Sequence, residues 1–239
     1  MKSTIITGLA AILLLAISCK KESATITDKS SALALTTDIT EAAQKYTSTW
    51  IHGQQWMTTN LAVKHYRNGD RIPKVTNPAE WDTLTTGAWC WYNNDSANGA
   101  VYGRLYNWYA VHDPRGLAPA GWHVPSHAEW ATLITHLGGN AVAGSKLKAT
   151  GTIEAGTGLW YAPNWATNSS GFTALPGGMR YYYDGLFYRV GYYGYWWSST
   201  EDIHEFSQAW AIVLQSTSIG IWLQDINMPD GLSVRCLRD

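Results

Sequence analysis

Charge is scarce in this sequence. Asp, Glu, Lys and Arg make up 15% of it and nearly cancel, leaving a formal net charge of -1. It therefore carries neither the basic footprint that tracks nucleic acid nor an acidic tail. Phenylalanine is scarcer still, with 3 copies against 14 Trp and 14 Tyr. The aromatics that keep a polar handle are the ones favoured at wet-edged pockets and interfaces. No nucleophile elbow, phosphate-cradling glycine loop or dinucleotide fingerprint occurs; Gly177 and Gly178 after Pro176 read as a tight turn. No internal repeat is visible, and no apolar run reaches the roughly twenty residues that a membrane-spanning helix needs. What is present, 46% hydrophobic residues and 22 glycines, reads as one loop-rich globular domain with a core of ordinary size.

The longest apolar run, Ile5 to Ile17, follows Lys2 and ends at Ser18 before Cys19. A positive start, a short apolar stretch and small residues ahead of a cysteine look like a bacterial lipoprotein signal, cleaved before Cys19 and acylated on its thiol. Two or three acyl chains anchor stably where one does not. The expected organisation is a signal peptide at 1–18, lipidated Cys19 with a flexible Lys-, Ser-, Thr- and Ala-rich tether over 19–45, and one domain at 46–239. The expected location is the bacterial envelope, lipid-anchored at the outer membrane and exposed on the cell surface.

Within the domain, "TSTWIHGQQWMTTNL" predicts two strands about a turn at His52-Gly53, and Asn68-Gly69 predicts a further turn. A helix is predicted after Ser126, which forms a capping box with Glu129. Trp130, Leu133, Ile134 and Leu137 supply its apolar stripe, and Gly138-Gly139 its end. A shorter helix is expected over 143–149. Strand-like runs at 208–215, 218–224 and 232–238 follow, giving helices early and strands late, an α+β class. In "YYGYWWSST", residues 192–200, both strand parities are aromatic. This strand is expected to be buried on at least one side, with Trp196 and Trp197 structural and Tyr192 and Tyr193 nearer the exposed end. Alternation in "SIGIWLQ" turns Ile219, Ile221 and Leu223 inward and Trp222 outward.

The blocks "QQWMTTNL", "YNNDSANGAVYGRLYNWYAV", "LAPAGWHVPSHAEW", "GFTALPGGMR", "GYWWSST" and "LSVRCLRD" occur in order from about Trp50 to Asp239. Together they resemble the Fibrobacter succinogenes major paralogous domain, a family of bacterial surface and secreted proteins. "GWHVPSHAEW" is similar to a segment of formylglycine-generating sulfatase-modifying proteins, which share the C-type lectin-like fold. The resemblance implies an α+β, C-type lectin-like domain: a small twisted antiparallel sheet, one or two early helices and long aromatic-rich loops. It implies no established activity, so function rests on sites.

Cys90 and Cys236, an even pair in an oxidising compartment once Cys19 is acylated, are expected to form a disulfide; two buried thiols are the alternative. His123 and His127 have the spacing of a helical zinc pair. Pro125 and the Ser126 cap put only the second on the helix, so the rings need not share a face and no metal is expected. Asp225, Asn227 and Asp230 miss the regular calcium spacing and read as a polar turn. Asp95, Glu201, Asp202, Glu205, Asp225 and Asp230 could supply a carboxylate pair for glycoside hydrolysis, but solvated loop carboxylates are the simpler reading. No catalytic residue and no cofactor is assigned.

A binding module fits better. Tyr offers rigid contact area plus a hydroxyl at little entropic cost, and long loops on a compact scaffold suit recognition. Tyr181, Tyr183, Tyr188, Arg189, Tyr192, Tyr193, His204, Trp222 and Asp225 are expected to hold an extracellular glycan or a surface protein. The membrane partner is reached through the lipid anchor, and no nucleic acid is expected. A structural or adhesive envelope component without a pocket and a polysaccharide hydrolase are the competing readings.

Overall fold

The computed structural model describes residues 46–239; the expected signal, Cys19 and the tether lie outside the described residues. His52 and Gly53, both at positive φ (48 and 77), join β1 (Ser48–Ile51) to β2 (Gln54–Met57), the backbone handedness a two-residue hairpin requires. At the far end of the chain, β11 (Leu237–Arg238) inserts between β2 and β5 (Trp122–His123), so the sheet runs β1-β2-β11-β5 and ties the two ends of the domain together.

A second antiparallel sheet has the order β10-β9-β8, built from β8 (Tyr193–Glu201), β9 (Gln208–Gln215) and β10 (Trp222–Asn227). Two smaller pairs are β3 (Trp89–Cys90) with β4 (Leu105–Tyr106), and β6 (Met179–Arg180) with β7 (Phe187–Tyr188). The helices are short. They are α1 (Pro78–Trp81), α2 (Ser96–Tyr102), α3 (Trp108–Val111), α4 (His127–His136) and α5 (Ala143–Leu147). Asn77, Asp95 and Asn107 cap the first three through their side chains, and Ser126 and Glu129 form the predicted capping box of α4, each satisfying an N–H that the helix itself cannot. The protein is thus mixed α/β, with few helices and several small antiparallel sheets.

Helices and strands interleave as far as Leu147, and from Met179 onward only strands follow, so the helices are early as expected but five strands lie among or ahead of them. The run at 232–238 yields only Leu237–Arg238 as strand. The run at 218–224 becomes strand only from Trp222, because Ile221 N–H bonds to Asn140 O instead of joining a ladder. Ile219, ahead of the strand, is 43% exposed instead of inward-facing, whereas Ile221 is buried.

β8 explains the double aromatic parity. Trp196 points into a cluster with Trp56, Trp130, Phe172 and Ile212, and Trp197 into another with Tyr106, Trp108, Ala211 and Val213. Neighbouring residues of a strand face opposite ways, so β8 is a wall shared by two cores. Each buried indole keeps a partner: Trp196 Nε1 donates to Asn60 Oδ1 at 2.9 Å and Trp197 Nε1 to Tyr106 O at 2.8 Å. Gly194 is required two residues ahead of Trp196, since a Cβ there would fall 2.3 Å from the Trp196 ring.

The two described cysteines are free, which overturns the expected Cys90–Cys236 disulfide. Cys90 packs with Val75, Trp81 and Leu105 in a third cluster, while Cys236 packs with Leu232 and Val234 in the Trp197 cluster. Burial pushes both thiols up to about 12, so neither is a ready nucleophile. Both should resist alkylation in the native protein and react after denaturation, and intact mass should show no two-dalton deficit attributable to this pair. Trp197→Ala should cost about 3–5 kcal/mol in denaturant unfolding.

Candidate functional site

A cleft of about 720 Å³ opens over the β8–β10 sheet. Its floor follows from register: Tyr195, Val213 and Trp222 lie in one row across the three strands, Tyr193 faces Gln215 in the row beside it, and Gln224 follows Trp222 at the same parity. This is the face that carries Trp197. Tyr195 is buried against the core, Tyr193 is half-buried and Trp222 is 39% exposed, so one sheet face passes from core to open surface. Tyr193 and Tyr195 stack with ring centroids 5.8 Å apart, and the Arg189 guanidinium lies over Tyr193 at 4.8 Å.

The facing wall is the β6–β7 hairpin, and Arg180 holds it in place. This fully buried guanidinium donates to Gly185 O within the hairpin at 2.9 Å and to Val75 O and Thr76 O outside it at 2.7 and 3.1 Å. It also stacks on Trp81 at 4.3 Å. Fixed in this way, the hairpin presents Tyr181, Asp184 and Tyr188 to the cleft. Asp184 Oδ2 accepts from the Tyr188 hydroxyl at 2.6 Å and Oδ1 from Leu186 N–H at 2.9 Å. These bonds, that of Tyr188 first, hold the Asp184 carboxyl below its ordinary range, and the bond to Asp184 raises the Tyr188 phenol.

At the base of the cleft, Asp230 is 2% exposed. Tyr182 N–H donates to its Oδ1 at 2.6 Å, and among the described residues no hydroxyl or cationic side chain binds the carboxyl. Burial, only partly offset by that N–H, pushes Asp230 up to about 7.

Of the residues anticipated for binding, Tyr181, Tyr188, Arg189, Tyr193, Trp222 and Asp225 meet in this cleft. Tyr192 lies outside it, stacked on Tyr161 at 4.2 Å. Tyr183 sits at the exposed hairpin tip beside Tyr181 and Tyr182, and His204 in the exposed β8–β9 loop, its N–H bonded to Asp202. Asp184, Tyr195, Gln215, Gln224 and Asp230 were not anticipated as ligand contacts; only the strand parity of Gln224, shared with Trp222, signalled its place. The two histidines go separate ways: His123 bridges Glu129 and Asp239 at 2.9 and 2.8 Å, and His127 stacks on Trp210. Among the described residues, no group of three or more His, Cys, Asp or Glu is placed to hold a metal, and no helix is long and apolar enough to cross a membrane.

The sequence model of the Fibrobacter succinogenes major domain matches residues 50–238, from β1 to β11. The chain belongs to this family. No curated protein and no solved structure gave a match. The match to the Fibrobacter succinogenes major domain therefore covers the hairpin wall and the floor of the cleft, together with the buried Trp196 and Trp197.

Because folding raises the Asp230 pKa, this major domain binds the proton more tightly than the unfolded chain does. Stability from this group is full below the ordinary carboxyl value of 3.8 and declines as pH rises toward about 7. Asp230→Asn removes the titration. Its melting temperature relative to wild type should climb across that interval and level off above it, the gain amounting to a few kcal/mol at most.

Proposed function

We propose that this is a lipid-anchored surface binding module that takes a glycan in the β8–β10 cleft. The observation that carries the reading is the make-up of the floor: partly exposed Trp222 and Tyr193 alternate with the carboxamides of Gln215 and Gln224 on one rigid sheet face. Sugar rings have flat apolar faces bordered by hydroxyls. Aromatic rings flanked by planar amides match both features without a charge requirement. A C-type lectin-like scaffold is supported by the mixed architecture, the small antiparallel sheets and the long irregular connections that build the cleft. The membrane anchor rests on the sequence around Cys19.

One observation favours a second reading, polysaccharide hydrolysis. Asp230 and Asp184 lie in one cleft with their carboxyl pKa values displaced in opposite directions, an arrangement that can separate an acid from a base. Reducing-end release from a neutral polysaccharide panel would favour it over binding alone.

A glycan array probed with the full-length protein tests the main reading. Trp222→Ala should weaken the strongest signal by more than about 1 kcal/mol while leaving the melting temperature close to wild type. Equal loss of folding and binding would make Trp222 a core residue. For the anchor, metabolically supplied palmitate should label wild type and not Cys19→Ala; equal labelling of both would remove the lipoprotein assignment.

A further inference from the structure

Three features of Asp230 remain unused by the aromatic floor. Its side chain is almost wholly buried at the base of the cleft. Among the described residues only Oδ1 has a protein partner, the Tyr182 N–H, which leaves Oδ2 for a group inside the cleft. No guanidinium or ammonium among the described residues binds the carboxyl, even though Arg180 is nearby in sequence to Tyr182; Arg180 spends its donors on carbonyl oxygens instead.

Beyond the Tyr182 N–H, the described surroundings give no support to a negative charge. From the β6–β7 hairpin come the phenols of Tyr181 and Tyr188 and the carboxyl of Asp184, which is held ionised by its hydrogen bonds. Tyr193 and Tyr195 come from β8 and Asp225 from β10, and Arg189 is occupied on the Tyr193 ring. The Tyr181 and Tyr195 phenols both feel the Asp230 charge, and both are raised, by burial first. An added carboxylate at the base would stand unpaired in a site that already holds Asp184 and Asp225. A buried unpaired charge is far costlier than a neutral acid with one hydrogen bond in place.

We propose that Asp230 enters the binding site as a neutral carboxylic acid, donating a hydrogen bond from Oδ2 to an uncharged oxygen of the ligand, and that the cleft thereby selects neutral glycans over acidic ones. The inference rests on the reading of the cleft as a glycan site. A sugar hydroxyl or ring oxygen accepts such a bond well, while the carboxylate of a uronic acid meets Asp184 and Asp225 across the cleft. Burial and the lack of a cationic partner keep the proton on Asp230 into the neutral range, up to about 7. Sign follows directly: the binding-competent form is lost as pH rises through that value, so affinity falls on the alkaline side.

The test is titration of the full-length protein, by Trp fluorescence or calorimetry, with neutral hexasaccharides of glucose, xylose and mannose and with hexagalacturonate as the acidic counterpart. Wild type should bind a neutral hexasaccharide about 30-fold more tightly near pH ~5.5 than near pH ~8.5. Asp230→Asn keeps an oxygen for Tyr182 N–H and still has a donor. It should bind equally at both pH values, close to the acid-side affinity of wild type, and hexagalacturonate should bind neither protein measurably. Tighter wild-type binding at alkaline pH, loss of binding in a folded Asp230→Asn, or preference for hexagalacturonate overturns the proposal. Binding that Trp222→Ala abolishes but that ignores both pH and Asp230→Asn overturns the role of Asp230 alone and leaves the glycan site standing. No binding of any hexasaccharide at either pH takes down the glycan reading itself.

Discussion

The structure depends on one strand being buried on both faces. Trp196 and Trp197 of β8 enter separate cores, so the strand cannot shift by one residue without exchanging their environments. Gly194 fixes the register further, because only a residue without Cβ fits against the Trp196 ring. The face that carries Trp197 then continues through Tyr195 to Tyr193 and out into the cleft. Core and cleft are therefore the same surface at different depths, and the floor inherits the rigidity of the packing below it.

A second device holds the irregular parts. Arg180, Arg235 and Lys148 are fully buried, and each meets backbone carbonyls with no carboxylate in the set. Lys148 Nζ donates to Gln215 O, Ser216 O and Ser218 O at 3.0, 2.9 and 2.8 Å. Arg235 reaches Met57 O, Phe172 O and Asn60 Oδ1. Long connections bring carbonyls inside that no ladder satisfies, and a side chain with several donors serves several of them at once. Burial lowers Lys148 to about 8 and Arg235 to about 9, the mark of charges held without counter-ions. Lys148 holds the chain where β9 ends at Gln215, a residue of the cleft floor, and Arg180 holds the facing hairpin, so two of these three cations fix parts of the cleft.

Legibility in the sequence tracked the length of the periodic signal. The α4 capping box and stripe, the His52-Gly53 hairpin and the outward Trp222 were readable because each is set by neighbours within a turn or a strand. The helices α1, α2 and α3 were missed: four to seven residues give too little chain for a 3.6-residue period, and their Asn and Asp caps resemble ordinary turns. The disulfide failed because the compartment says nothing about which core a cysteine enters. Tyr183, Tyr192 and His204 have the right chemistry for a cleft but stand on loop tips and neighbouring stacks. Asp230 lay hidden in what read as a polar turn, and its burial arises from the hairpin folding over it, a contact between segments 48 residues apart.

Backbone hydrogen exchange of the full-length protein, with and without a saturating neutral oligosaccharide, measures the central claim directly. The account predicts slowed exchange over 179–189 and 222–230, the hairpin wall and β10, with little change in the exposed β8–β9 loop. Protection concentrated at 202–207, or at Trp50 and Trp165 on the outer surface, with the hairpin and β10 unchanged, would contradict it.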